Sequence, residues 1–200
     1  MKKSISRREF ITASIAIAGA NAFTLTSAPA FAATVPLSAT EIKDLTYMRE
    51  EEKVARDVYT TLHNMWNYYT FYSIASSEQQ HMDTVKKMLD KYRLPDPAQP
   101  AVGVFTNPEL QSMYNKLVAA GSKSLVDALN VGCTIEEMDM VDLQDAINEA
   151  THPDLDTIYA SLMDGSKSHL RAFVSALKKQ GVVYQPQYIT IESYNAIING

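Results

Sequence analysis

Between Ser38 and Gln180, apolar residues recur at intervals of three and four, the spacing that lines one face of an α-helix. Ser38 and Glu41 form a capping-box pair, so a first helix is expected from about Ala39 to His63 or beyond. Its stripe is Leu45, Met48, Ala55, Tyr59 and Leu62. A second stripe runs through Phe71, Ile74, Val85, Met88 and Tyr92 and stops before RLPDPAQP, whose prolines cannot continue a helix. Asn107 followed by Pro108 starts a short helix that reaches about Ala120, with Gly121 as its terminator.

A further long helix begins at Ser122 or Ser124 and runs to about Ala150, with Leu125, Leu129, Leu143 and Ile147 on one face. After a break at THPD, another runs from Pro153 to about Gln180 through Leu155, Ile158, Leu162, Phe173 and Ala176, with Gly181 at its end. The tail reads as extended, then as a last short helix capped by Thr190. Four long amphipathic helices with one long central connection predict an all-α four-helix bundle with a crossover. The crossover carries the short extra helix, and a short C-terminal extension follows the bundle.

Polar residues interrupt these stripes in a regular way. Glu52 falls between Met48 and Ala55, Glu78 and His81 fall between Ile74 and Val85, Glu136 between Leu129 and Leu143, and His169 between Leu162 and Phe173. Each long helix therefore carries a metal-competent side chain on its apolar face. Carboxylates are almost never fully buried unless paired or bound to a cation. Glu78 and His81, three apart, project from one helical face and can reach a single ion. The pattern is that of a dinuclear metal site in a bundle core.

Composition narrows the chemistry. With 46% hydrophobic and 20% charged residues in 200, the chain is an ordinary globular one. Its single cysteine, Cys133, excludes an internal disulfide, a cysteine zinc finger and a cysteine-held iron–sulfur cluster. A net charge of −5 argues against general nucleic-acid binding.

Residues 1–32 read as a targeting segment, and 33–200 as the domain. Lys2, Lys3, Arg7 and Arg8 precede an uncharged stretch from Ile11 to Leu25, and Ala30-Phe31-Ala32 matches a signal-peptidase site. SRREFI resembles the twin-arginine export signal, which implies passage of a folded chain through that machinery to the periplasm or exterior. That route is often used when a cofactor is inserted before export. Removing four basic residues and one acid takes the net charge from −5 to −8.

Glu52-x-x-Ala55-Arg56-x-x-Tyr59 with Glu78-x-x-His81 resembles the first two helices of rubrerythrin-type ferritin-like proteins. More closely, LTYMREEEKVARDVY, IASSEQQHMD, GVFTNPELQ, IEEMDMVDL, SHLRAF and YQPQY resemble the ferritin-like family catalogued as domain of unknown function 2202. The resemblance covers the whole of 33–200 and implies a ferritin-like bundle. It implies metal ligation by Glu52, Glu78, His81, Glu136 and His169, with two irons per chain expected and manganese as the substitute. One departure stands out: the di-iron relatives have a carboxylate three residues before the last histidine, where this chain has Ser166. Asp139, three after Glu136, is the candidate replacement; both a ligand and an acceptor to a ligand stay open for it.

Within the EEEK run, Glu52 is expected to face inward and Glu50 and Glu51 to be solvated. Stripe position favours Glu136 over Glu137. His63, about 16 Å along the helix from Glu52, reads as structural. His152 reads as exposed, Tyr59 and Cys133 as core. The expected function is an exported di-metal protein with redox activity, such as ferrous-iron oxidation or peroxide reduction. Oxygen or peroxide would be its small-molecule partners. A non-enzymatic metal-binding or interaction module on the same fold is the alternative, and the chain leaves room for a homo-oligomer.

Overall fold

The computed structural model describes residues 35–200. The targeting segment and its cleavage site lie outside them. Six helices follow in order: α1 (Ala39–Trp66), α2 (Tyr69–Lys91), α3 (Pro108–Gly121), α4 (Leu125–Glu149), α5 (Pro153–Lys179) and α6 (Ile191–Asn199). There is no strand among the described residues, and no helix among them is long and apolar enough to cross a membrane.

Local signals set the helix ends. Ser38 accepts from the Glu41 N–H while the Glu41 carboxylate accepts from the Ser38 N–H, closing the capping box. Asn67 ends α1 in the left-handed conformation, φ 47°, which asparagine tolerates better than most residues. The turn into α2 is therefore only Asn67-Tyr68, and α1 and α2 form a tight antiparallel hairpin. Asn107, Ser124 and Thr190 cap α3, α4 and α6 through their side chains. Gly121 does not act as a left-handed terminator, because it lies inside α3. Its reason is close approach: a Cβ there would come within 2.7 Å of Leu62.

The four long helices pack as two hairpins, α1–α2 and α4–α5, with α1 against α4 and α2 against α5. The backbones of α1 and α5, and of α2 and α4, lie across the diagonals. Neighbours run antiparallel throughout. Tyr59 of α1 meets Glu136 of α4 while Tyr47 and Met48, about three turns earlier, line one groove with Asp142 and Ala146; Ser77 of α2 meets His169 of α5 while Lys91 meets Asp154. The chain thus runs up, down, down, up, and the 33-residue passage from Tyr92 to Ser124 must cross a diagonal to begin α4.

The core between the helices is continuous. Tyr59, Phe71 and Phe173 stack at its centre, with ring centroids 5.1–6.3 Å apart. Gly132 lets α4 close on Phe173, whose ring would lie 2.6 Å from a Cβ there. On α2 the buried stripe is Phe71, Ile74, Glu78, Met82, Val85 and Leu89. The sequence pattern through Met88 and Tyr92 is rotated by one residue in the second half, and those two are half-buried.

The EEEK run differs from the solvated face the sequence suggests. Glu50, Glu51, Glu52 and Lys53 are all buried. The reason is the crossover, which wraps the outer side of α1. Its irregular backbone has no helical partners for its N–H and C=O groups, and buried backbone polar groups must be paired. Glu50 accepts from the N–H of Thr106 (2.6 Å) and of Asn107 (2.9 Å). Lys53 donates to Asp57 and to the carbonyls of Ala101 and Val104, and its ammonium sits 4.3 Å above the Phe105 ring. Arg49 holds Asp96 through two hydrogen bonds and donates to the Met82 carbonyl. Glu137 does the same for the tail, accepting from Gln187 and Tyr188.

His152 is also not free in solvent. It is half-buried at the α4–α5 turn, with Nδ1 2.7 Å from Glu41. The Glu41 oxygen also accepts from the Thr151 and His152 N–H groups, so the capping-box acid of α1 ties down that turn. Burial works against its charge, yet the hydrogen bonds from His152 and the backbone hold Glu41 well below the usual carboxylate range. The same contact raises His152.

Two outcomes follow. Glu50→Ala leaves two crossover N–H groups without an acceptor, so it should cost about 1–3 kcal/mol in urea unfolding. Asp164→Ala, on an exposed surface, should cost no more than about 0.5 kcal/mol. For the Glu41–His152 pair, a depressed carboxylate stabilises above its unfolded value, 4.5, and loses that stabilisation as pH falls. A raised histidine stabilises below 6.5 and loses it as pH rises. The pair should therefore contribute most between pH 4.5 and 6.5, and Glu41→Gln should lower urea midpoints most inside that window and less on either side of it.

Candidate metal centre

All four long helices contribute to one polar cluster in the bundle core. The residues sit where the stripes place them, each on an inward face two or more turns from a helix end. Glu78 of α2 is the hub. Its Oε2 lies 2.8 Å from His81 Nδ1, one turn away, and its Oε1 lies 2.8 Å from His169 Nδ1 on α5. His81 Nδ1 is 3.2 Å from Glu52 Oε2 of α1, and His169 Nδ1 is 3.4 Å from Glu136 Oε2 of α4. Two groups result, Glu52–Glu78–His81 and Glu78–Glu136–His169, each with ligand atoms within 4.8 Å of one another. They share Glu78, and the two imidazoles stack with centroids 5.4 Å apart.

Other side chains hold these in place. Tyr59 donates to Glu136 Oε1 at 2.5 Å, so its role goes beyond the core packing expected of it. The Ser77 hydroxyl lies 2.8 Å from His169 Nε2, which leaves Nδ1 facing the carboxylates. Gly165 makes room for His81, since a Cβ there would come within 2.5 Å of the ring. Ser166 donates to Asp139 Oδ2 and to the Leu162 carbonyl. Asp139 is buried beside the cluster but falls outside both groups; its side chain meets Ser166 instead. Glu136 faces the cluster while Glu137, next to it, faces the tail. Glu51 is buried on the Asp139 side, a position the stripes did not mark. Ser77 and Gly165 carry no sequence signal of their own. His63 contacts the Tyr68 carbonyl and Cys133 is fully buried, both as expected.

The electrostatics are those of crowded like charge. Burial pushes Glu51 and Glu52 well above the usual carboxylate range, and each is raised further by Asp139. Burial also lifts Asp139 to about 8, with Glu136 and Glu78 adding to it and the Ser166 hydrogen bond opposing. Burial opposes ionisation of Glu78 too, but His169 and His81 outweigh it and bring this carboxylate to about 2. Burial disfavours charged histidine, yet Glu52 and Glu78 raise His81 to about 11, and Glu136 and Glu78 raise His169 to about 10. Both histidines are thus biased towards the charged form by the carboxylates beside them.

Several buried atoms still lack an aligned hydrogen-bond partner. They include Glu52 Oε1, Asp139 Oδ1, Glu51 Oε2 and His169 Nδ1. His169 Nδ1 is near two carboxylates, but neither approach has hydrogen-bond geometry.

Comparison with known proteins places the chain among uncharacterised relatives. Residues 41–200 match the family described as uncharacterized protein domain DUF2202. The uncharacterized protein MJ0754 of Methanocaldococcus jannaschii is 51% identical over 165 residues, which cover 82% of this chain and 89% of that protein. A crystal structure of hypothetical protein MJ0754 from Methanococcus jannaschii superposes with a TM-score of 0.81 at 50% identity, covering 83% of this chain and 95% of the other. With residues 41–200 matched, the chain belongs to the DUF2202 family.

Proposed function

We propose that this chain is an exported ferritin-like protein that holds a pair of metal ions in its bundle core and uses them for redox chemistry. Iron is the first candidate and manganese the second. The single observation that carries this reading is the position of Glu78, whose two oxygens each serve a different histidine–carboxylate group. The up, down, down, up order with a diagonal crossover supports the ferritin-like assignment.

The donors fit such ions. They are carboxylate oxygens and imidazole nitrogens without sulfur, a set that suits iron or manganese. The unpartnered Glu52 Oε1 and His169 Nδ1 would gain a partner. Glu52, Glu78 and His81 would hold one ion, and Glu78, Glu136 and His169 the other. When bound, the pair supplies electron transfer to oxygen or peroxide, as in ferrous-iron oxidation or peroxide reduction. The chain's own residues orient and shield. Ser77 fixes the His169 ring, Tyr59 fixes Glu136, and Tyr59, Phe71 and Phe173 wall the cluster from water on one side. Such buried donors are best filled while the chain folds, which accords with the twin-arginine motif at Arg7-Arg8.

Ser166 favours a second reading, a metal-holding module without turnover. Its hydroxyl is committed to Asp139 rather than open towards the cluster.

Protein purified without chelators should carry about two irons per chain by elemental analysis, the count of ferritin-like di-iron sites. Stripping the metal should lower the melting temperature, by an amount set by affinity and concentration. Glu78→Ala should lose both ions because it serves both groups. His81→Ala and His169→Ala should each lose one, whereas Glu50→Ala should lose stability but no metal. A folded protein with no metal would support the scaffold reading, and an oxygen-consumption assay with ferrous iron separates turnover from storage. Export is tested independently: replacing Arg7 and Arg8 by lysine should leave precursor in the cytoplasm, and unchanged export would discard the twin-arginine assignment.

A further inference from the structure

The acids of the Glu78 cluster are sealed: the side chains of Glu52, Glu78 and Glu136 are only 2–3% exposed. His81 is the member that reaches the surface, with 13% of its side chain exposed. Its Nδ1 points inward, 2.8 Å from Glu78 and 3.2 Å from Glu52, so the exposed part is the opposite edge of the ring. That edge lies in the seam between α2 and α5. Gly165 of α5 gives it room, because a Cβ there would come within 2.5 Å of His81 Cε1 and Nε2. At the same seam His169 Nε2 is engaged by Ser77.

The other sides of the cluster are bridged by side chains or covered by a further helix. Between α1 and α2, Arg49 donates to the Met82 carbonyl and Arg56 to Gln79. Between α1 and α4, Tyr59 donates to Glu136, and α3 packs on both helices. Between α4 and α5, Ser166 donates to Asp139. In contrast, α2 packs only on α1 and α5, and α6 only on α5, so no helix among the described residues covers the α2–α5 seam. One turn from His81 or Gly165, the neighbours along the seam are Ser77 and Thr84 on α2 and Ser168 on α5, all uncharged. The charges next to Gly165, Asp164 and Lys167, pair with each other. Such a seam has no field of one sign to draw in an ion, and it suits a small neutral molecule.

We propose that a small neutral oxidant, dioxygen or hydrogen peroxide, reaches the Glu78 cluster through the α2–α5 seam past the exposed edge of His81, and that this entrance excludes organic hydroperoxides by size. The chemistry served rests on the paired-metal reading above; the position of the entrance does not.

The first arm of the test needs no metal. The chelator-stripped full chain, with isotope-labelled histidine, is studied by nuclear magnetic resonance under dissolved oxygen, whose paramagnetism speeds relaxation of the ring signals it approaches. A helical side chain lies over the turn before it, so Ser168→Trp covers Gly165 and Thr84→Trp covers the His81 edge. Each should cut the oxygen effect at the His81 ring several-fold. Ser175→Trp, exposed on α5 about 15 Å from Gly165 along the helix, should leave it unchanged. An oxygen effect in Ser168→Trp equal to wild type would overturn the entrance; if Thr84→Trp does not fold, the exposed Ser168→Trp decides alone. The second arm follows iron-loaded protein by stopped flow. Hydrogen peroxide should oxidise it several-fold faster than cumene hydroperoxide, and Ser168→Trp should slow the hydrogen peroxide reaction at unchanged iron content. Equal rates for the two peroxides in wild type would overturn the size selection. Protein that takes up no iron would instead overturn the paired-metal reading, leaving the entrance to stand or fall by the His81 signals.

Discussion

Everything in this bundle depends on how its centre deals with negative charge. Glu52, Glu78 and Glu136 come from three helices and are buried, with Glu78 bringing an oxygen within 4.8 Å of each of the other two and Asp139 buried beside them. In a medium of low polarity such a group is unstable unless protons or cations intervene. Two histidines, one on α2 and one on α5, supply part of the compensation through a single shared carboxylate, Glu78. That contact also sets the mutual height of α2 and α5. Hydrophobic packing fixes the helices approximately; the histidine–carboxylate contacts specify which turn faces which.

The same logic applies on the outside of α1. Arg49, Glu50, Glu51, Glu52 and Lys53 are consecutive, so successive residues point about 100° apart and sample the full circumference of the helix. Five charges in a row usually mean solvent. Here α2 and α4 flank one side and the crossover covers the other, so each charge meets a different surface. Arg49 takes Asp96, Glu50 the start of α3, Glu51 a small cavity beside Asp139, Glu52 the His81 ring and Lys53 the Ala101–Val104 carbonyls. The crossover is thereby bonded to α1 by side chains, in place of the regular ladders it lacks.

Much of the architecture was legible before any coordinates. The capping box at Ser38, the Asn107-Pro108 start and the Thr190 cap are short-range signals with a fixed physical cause, and the helices begin where those signals stand, while of Ser122 and Ser124 it is the second that caps α4. The stripe interruptions likewise bring Glu52, Glu78, His81, Glu136 and His169 to one level. What the sequence concealed was long-range. Nothing near Glu50 marks it as the acceptor for Thr106, 56 residues away, or Glu41 as the partner of His152. A capping-box glutamate looks complete in itself. Gly165 and Ser77 matter only because of the ring that packs beside them, which lies on another helix in each case.

The division of the cluster between two hairpins bears on how the molecule comes together. Glu52, Glu78 and His81 belong to α1–α2, whereas Glu136, Asp139 and His169 belong to α4–α5. Each hairpin closes over short sequence separations and can form early and locally. The full donor set exists only after the crossover has carried the second hairpin across the diagonal. On the paired-metal reading either half alone would offer a fragment of the coordination, and only the first has a carboxylate and a histidine one turn apart, Glu78 and His81. A metal met during folding would bind loosely to that first hairpin and become locked in as the second docks. Cation and chain closure would then be captured in one late event, with the Glu78 carboxylate as the hinge between the halves.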